Sequence, residues 1–593
     1  MTGLTSGAAR VRVETARGMR GGRRVLLPDV FAPGGALLVY LVLTALVLRR
    51  GFLEYNADGY TRIIRGHEWL QAPRWEVGVW LPLQTWLFGA GLQLHDALTA
   101  TPRVIDSLLT VWTLANLYGI GRLLGGRLAA VIAAGLGATF PWLVWLGVSG
   151  MSEPLFHATL TTGVLGFTLW LREPRARWLW LAGGGLALAT MTRYEGWFYV
   201  AVWGPLALTL AWRRGTLRAS MATSTLGALA LPAMFPLLWM QQHQTRFGDA
   251  FGFARETAAI KAALEPANQQ AGLLRRLTDY PEHMLRLAPM VVLLCCAAAS
   301  YAIWRRVAWW PLLALVGGQA ALLVGVSAGF SNLGPGAERY LLSNVILLFP
   351  VVGAAVALAP VGAPRLAAAS VVALAAVLLA PTTLRPPTSY PDADTRAVAE
   401  LARHALLAAP AGHGPIPLLL PAPPGDAYNV SYAVRILSEH PDDWLITTDP
   451  AVFRAVAGDR HPPLWLRDTR ADQTDVPDTQ RTQQVGRFQL GWPTPPLSVT
   501  VAVTQLSAGD TLDARVTGLT PGEAVSAWLT APTDTVVPFD LQLRADAAGA
   551  LSAQLPLPPD AAPGRWAVTF AGLGGNSSGA LDFEIVSVLD NAP

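Results

Sequence analysis

Apolar runs of roughly 17 to 22 residues, each closed by a short polar stretch, recur along the first two-thirds of the chain, and runs of that length suit helices crossing a bilayer. They predict spans at about 31–48, 104–121, 128–147, 154–171, 178–192, 196–212, 221–240, 287–304, 308–328, 340–359 and 366–381. One apolar segment is different. "VWLPLQTWLFGAGLQLH" (Val79–His95) is interrupted by Pro82, Gln84 and Gln93 and carries bulky aromatics, so it reads as an amphipathic helix lying at the interface. Past Ala380 a Pro-rich exit, "PTTLRPPTSYPDADT", leads into a different pattern. From Ala397 it runs helix, strand "IPLLLP", helix "YNVSYAVRILSEH", strand "DDWLITT", short helix and strand "PPLWLR", which is a small α/β unit. From about Pro496, apolar and polar residues alternate between turns such as "SAGD", "TPGE" and "APGR". Seven short strands over roughly 90 residues predict an immunoglobulin-like β-sandwich.

The expected architecture is a polytopic α-helical membrane domain of about 11 transmembrane helices, followed by a small α/β unit and the sandwich. Its parts are an Arg-rich cytoplasmic tail at 1–25, a membrane domain at 26–381, an extracytoplasmic α/β domain at 382–490 and the sandwich at 495–590. Arginines support this count. With the N-terminus inside, the inner loops hold Arg122 and Arg127, then Arg172, Arg175 and Arg177, then Arg213, Arg214 and Arg218, then Arg305 and Arg306, and last Arg365. If Val79–His95 crossed, every later loop would change sides. The expected location is thus the plasma (inner) membrane, with the C-terminal units outside. The "MTGLTSGAARVRVETARGMRGGRR" start has no small-residue cleavage site after the first apolar run, so it reads as a tail before an uncleaved span.

Composition adds exclusions. Only 14% of residues are charged, against about 25% in soluble domains, and mean hydropathy is +0.37. No basic cluster interleaved with aromatics accompanies the net charge of +4, so nucleic acid is not an expected partner. Cys295 and Cys296 are adjacent in an apolar run, which suits neither a disulfide nor a Cys metal site.

In this topology the polar residues gather on the outer side. They fall in "EYNADGYTRIIRGHEW" (Glu54–Trp69), "SGMSEPLFH" (Ser149–His157), "MTRYEGW" (Met191–Trp197), "QTRFGDAFGF" (Gln244–Phe253) and "NLGPGAERYLL" (Asn332–Leu342). An acid in the first outer loop, "SEPLF" opening a span, "TRYEG" closing another, "FGD" and a late "ERYLL" together resemble the GT-C superfamily of membrane glycosyltransferases. Within it they are most similar to the protein mannosyltransferase and aminoarabinose transferase types. "PRVIDSLLTV" (Pro102–Val111), with Arg103, is similar to that family's Arg-containing start of its second span. The resemblance covers about residues 30–381 and implies an outward-facing site, a polyprenyl-phosphate sugar as donor, and an acceptor glycan, lipid or protein. Some relatives use a divalent ion; no cofactor is fixed here, and no acid pair in a membrane-domain loop has metal-ligand spacing. Two departures stand out. Relatives often follow the first-loop acid with another, whereas here Gly59 follows Asp58 and Glu54 stands four residues earlier. The sandwich also lies outside the family's core pattern.

Sugar transfer from a lipid phosphate to a hydroxyl needs a base at the acceptor and cations for the departing phosphate. Asp58 is the expected base, with helix N-capping as its plainer role. Glu153 is the second catalytic candidate, though Ser152 and Pro154 around it also fit an ordinary helix start. Arg193 and Arg339 are the phosphate candidates because a guanidinium offers a planar fork of donors. Glu195 accompanies Arg193 as a substrate contact or simply as its ion partner. Tyr60, Tyr340 and Arg103 complete the substrate-binding set, aromatic-belt packing being the plainer reading of the tyrosines. The rival function is a transporter or lipid-linked sugar flippase.

Overall fold

The computed structural model of this chain describes residues 27–586 apart from 76–78, 216–218, 265–271, 308, 331–336, 387–389, 409–414, 422–425, 460–464, 472–480, 493–496, 520–521, 540 and 574–576. The expected tail at 1–25 and the first residues of the "NLGPGAERYLL" loop lie outside the described residues.

Helix α1 (Leu27–Arg49) is followed by two short helices, α2 (Ala57–Gln71) and α3 (Leu83–Leu94). Helix α4 (Ala100–Thr139) carries one expected span and most of the next, and breaks at Gly125 and Gly126, where Gly126 takes a φ of +78°. A Cβ on Gly121 would stand 2.8 Å from the Ala129 carbonyl oxygen, so the two arms of α4 lie against each other as a hairpin that needs glycine there. Then come α5 (Pro141–Leu146), α6 (Glu153–Arg172), α7 (Ala176–Thr190), α8 (Glu195–Arg213), α9 (Ala219–Phe247), α10 (Gly252–Leu264) and α11 (Leu273–Leu287). Finally α12 (Pro289–Trp304) and α13 (Trp310–Phe330) precede a 3-10 turn at Ala337–Leu341, α14 (Leu342–Leu358) and α15 (Ala363–Thr383).

Each expected span falls on a helix, but the count differs by a stricter measure. Among the described residues four helices are long and apolar enough to cross a membrane on their own, or five if the bent pair Leu273–Arg286 and Pro289–Trp304 is one span, against eleven expected. The physical reason is packing. Most of α6 is buried among its neighbours, so it tolerates Thr and His where a lipid-facing helix would be apolar. Helix α3, in the segment expected at the interface and not among the eleven, has 12 residues, about 18 Å of rise, well short of a hydrocarbon core of about 30 Å.

The C-terminal third is β-rich. Helix α16 (Ala393–Ala408), β1 (Ile416–Leu419), α17 (Asp426–Leu437), β2 (Trp444–Thr447), α18 (Pro450–Asp459) and β3 (Trp465–Asp468) form the expected α/β unit. A hairpin of β4 (Arg481–Val485) and β5 (Phe488–Trp492), not foreseen in the sequence, extends its sheet to the order β2-β1-β3-β5-β4. Between Ser498 and Val586 the chain forms two sheets, of six and three strands, more strands than the seven expected. Their inner faces share a core that includes Val516, Leu529, Leu555, Val568 and Phe570. Trp528, Val536 and Leu573 from the sandwich pack with Val398, Leu418 and Phe488 of the α/β unit, so the two parts share one hydrophobic cluster.

The α/β unit also packs on the membrane half. Ala433 and Ile436 of α17 join Tyr60, Ile63, Ile64, Phe88 and Leu92 in one cluster across α2 and α3. Around it, Arg435 Nη1 meets Glu68 Oε1 at 3.2 Å, and His67 Nε2 meets Asp442 Oδ2 at 3.0 Å. Tyr390 N–H donates to the Glu54 carbonyl at 2.9 Å. Helix α2 is therefore held between the helix bundle and the α/β unit.

Candidate functional site

The α1–α2 junction, the start of α6, the α7–α8 turn and the turn before α14 all lie at one end of the bundle, the end under the α/β unit. Each contributes charge. Arg339 Nη2 stands 3.3 Å from Asp58 Oδ2, and its Nη1 is 3.4 Å from Glu153 Oε1. The same Glu153 oxygen is 2.7 Å from Arg193 Nη1, and Arg193 Nη2 donates to Glu195 Oε1 at 2.6 Å. The result is an alternating row, Asp58–Arg339–Glu153–Arg193–Glu195. Aromatic faces flank the guanidiniums: Arg193 lies 5.6 Å from the Tyr340 ring centroid, and Arg339 5.8 Å from that of Tyr55.

Exposure grades along this row. The Glu153 side chain is 1% exposed and those of Arg193 and Arg339 are each 9% exposed, whereas that of Asp58 is 36% exposed. Burying an ion costs several kcal/mol unless it is paired, and each buried group here has an opposite charge in contact. Asp58 alone of the row presents a carboxylate to an incoming molecule. Its helix is capped by Asn56, whose Oδ1 accepts from the Asp58 N–H at 2.9 Å, so the capping role weighed for Asp58 belongs to Asn56. Glu153 does begin α6, with Pro154 behind it, and so serves both the helix start and the ion row.

Six of the eight residues singled out from the sequence converge: Asp58, Glu153, Arg193, Glu195, Arg339 and Tyr340. Two do not join them. Arg103 donates from Nη2 to the Leu53 carbonyl at 2.7 Å, fixing the first loop from outside the row. Tyr60 is 3% exposed in the α2–α3–α17 cluster, its ring 5.8 Å from that of Tyr390, and acts as packing. Asp392 and Asp394, the acid pair beyond the last span, bind Arg487: Asp392 pairs with its guanidinium, and Asp394 Oδ2 accepts its N–H at 2.9 Å. Among the described residues no three His, Cys, Asp or Glu side chains converge as a metal site would require.

Glu54 supplies what sequence reading left open beside Gly59. It is 2% exposed, with Oε1 accepting from Tyr55 N–H at 2.9 Å and Oε2 from Gly150 N–H at 2.8 Å. Burial pushes its carboxyl up to about 7, the two N–H donors opposing that shift. A Cβ on Gly59 would stand 2.6 Å from Glu54 Oε1, so the missing side chain at position 59 is what lets this carboxylate bridge the first and second loops. Arg62 and Gln84 were missed altogether. Arg62 Nη1 donates to Gln84 Oε1 at 3.0 Å, with its guanidinium 3.9 Å from the Trp80 ring centroid. A signal for Arg62 was present, since it lies four residues after Asp58 on one helix face. Gln84 sits in a segment whose polar residues suggested only an interfacial helix.

Residues 496–585 match the macroglobulin-like domain model, which accords with the sandwich seen there. No curated protein matches the chain. Among solved structures it is similar to apo ArnT from Cupriavidus metallidurans at 11% identity, over 78% of this chain and 97% of that one, with a TM-score of 0.47. It is also similar to the oligosaccharyltransferase AglB from Archaeoglobus fulgidus, solved with an inhibitory peptide and a dolichol-phosphate. There the identity is 11%, the coverage 93% and 97%, and the TM-score 0.43. The arabinofuranosyltransferase AftD from Mycobacteria matches at 12% identity, over 93% of this chain and 61% of that one, with a TM-score of 0.38. At TM-scores below 0.5 these likenesses fix no residue correspondence.

Proposed function

We propose that this chain is a membrane glycosyltransferase that moves a sugar from a polyprenyl-phosphate carrier to an acceptor hydroxyl at the extracytoplasmic face. The observation that carries the reading is the ion row: four distant parts of the sequence meet at one end of the bundle, and the half-exposed carboxylate of Asp58 terminates it. In this reading the eleven apolar stretches of residues 26–381 form the membrane domain. The Arg-bearing loops face the cytoplasm, and the α/β unit and sandwich lie outside over the site.

Asp58 takes the proton from the acceptor hydroxyl. The freed oxygen attacks the anomeric carbon as the bond from that carbon to the phosphate oxygen breaks, and the electron pair leaves with the polyprenyl phosphate. One displacement inverts the anomeric centre. Arg339 orients Asp58 and Glu153 together, while Arg193 and Glu195 hold Glu153 from behind. A buried row of paired charges is pre-set before substrate arrives, so little reorganisation accompanies the charge shift.

Membranes carrying the chain and supplied with radiolabelled polyprenyl-phosphate sugars test this. Asp58→Asn is expected to lower transfer at least 100-fold, within the range for loss of a general base, while the variant inserts and melts like the parent. Full transfer by Asp58→Asn would remove Asp58 from the base role.

A further inference from the structure

Arg62, Arg193 and Arg339 all stand in or beside the ion row, and they are not equivalent. Arg339 spans two carboxylates and Arg193 spans two more contacts of that kind, so a phosphate arriving at either has to displace Asp58, Glu153 or Glu195. Arg62 is different. Among the described residues its guanidinium touches no carboxylate; it has the neutral Gln84 amide, the Trp80 ring and an Nε without a hydrogen-bond partner. Yet it is nine-tenths buried. Burial pulls its pKa down to about 9, with the charges of Asp58 and Glu153 working against that, so the group stays cationic in a place that disfavours cations.

Gln84 is fixed in the orientation that holds Arg62. Its Nε2 donates to the carbonyls of Met151 at 2.7 Å and Gly150 at 3.3 Å, which leaves Oε1 to accept from Arg62. Arg62 is thereby aimed by an uncharged partner, itself 1% exposed, that spends none of its positive charge. One helical turn away, Asp58 reaches solvent. A buried, oriented, under-compensated guanidinium beside a solvent-reaching carboxylate is the arrangement expected of an anion subsite.

We infer that Arg62, aimed by Gln84 and backed by Trp80, is the phosphate-binding guanidinium of this site, and that Arg193 and Arg339 serve to position the acids. The assignment rests on the glycosyltransferase reading for the origin of the phosphate, and on the geometry alone for the residue that takes it.

The test is binding, not transfer. The full chain in nanodiscs is titrated with undecaprenyl phosphate, with undecaprenol, and with inorganic phosphate. Wild type is expected to bind the lipid phosphate at least tenfold more tightly than the uncharged lipid. Arg62→Gln and Arg62→Met are expected to lose that preference while undecaprenol partitions as before. Retention of the preference by folded variants would overturn the Arg62 assignment and leave the carrier reading standing. Wild type preferring neither phosphate probe over undecaprenol overturns both. Inorganic phosphate binding as tightly as the lipid, and lost in the variants, supports the subsite and sinks the lipid carrier as its ligand. Should both variants fail to fold, an electron cryomicroscopy map of wild type with undecaprenyl phosphate decides: the phosphate within hydrogen-bond reach of Arg62 supports the assignment, and the phosphate on Arg193 or Arg339 overturns it.

Discussion

Gly59→Ala is a one-methyl perturbation with a calculable outcome. An alanine in the first turn of α2 should favour the helix by at most roughly 1 kcal/mol. Against this, its Cβ would stand 2.6 Å from Oε1 of Glu54, a carboxylate that is buried and bonded at both oxygens. The side chain has to swing away, and above pH 7, where Glu54 is ionised, the N–H groups of Tyr55 and Gly150 lose a charged acceptor worth about 1.5–3 kcal/mol each. Losing one to both leaves a net destabilisation of about 1–5 kcal/mol after the helix gain. Detergent-solubilised chain, followed by tryptophan fluorescence at one fixed scan rate, should show the midpoint falling by several degrees. Transfer should fall too, because Asp58 precedes Gly59 and Gly150 lies three residues before Glu153. The double variant Glu54→Ala/Gly59→Ala isolates the cause, since it removes the three atoms nearest the new methyl, all of them in the Glu54 carboxyl. In that background Gly59→Ala should be neutral or stabilising. An equal cost in both backgrounds, or an unchanged midpoint for Gly59→Ala alone, would refute the account.

The same carboxyl sets a pH dependence. An unfolded chain ionises Glu54 near 4.5 and the folded chain near 7, so the folded state holds the extra proton between them. Stability is therefore fully supported below about 4.5 and declines as pH rises to 7, by about 3 kcal/mol for this one group; melting from pH 5 to 8 should show a slope that flattens in Glu54→Gln. Glu153→Gln leaves Arg193 and Arg339 facing each other without their shared negative charge, and should destabilise by about 3–5 kcal/mol. Its melting midpoint, compared with that of Glu153→Gln/Arg193→Gln, checks this, and the double variant should lose less than the sum of the two singles.

Much of this was legible from the chain. Apolar runs located the helices, since burial and length act locally, and the motif residues Asp58, Glu153, Arg193, Glu195, Arg339 and Tyr340 did converge. What escaped was set by neighbours distant in sequence. Tyr60 in α2 and Arg103 in the first turn of α4 stand at the right end of the bundle, but the side chain of Tyr60 is claimed by packing with α3 and α17 and that of Arg103 by the Leu53 carbonyl. By hydropathy alone α6 falls short of a spanning helix, because it is walled in by protein and need not look like a lipid-facing one. The β4–β5 hairpin was invisible because its polar residues carry little alternation, and Gln84 became significant only when the Gly150 and Met151 carbonyls were seen to orient it.

The grip of α17 on α2 has a consequence for biosynthesis. Helix α2 emerges early from the ribosome, yet the residues that cover its far side, Ala433 and Ile436, follow some 360 positions later. Until they arrive, the first loop has a membrane-side wall and no lid. A nascent chain halted after its last hydrophobic helix would thus be inserted and incomplete, with the carboxylate of Asp58 in place but its supporting helix free to rock.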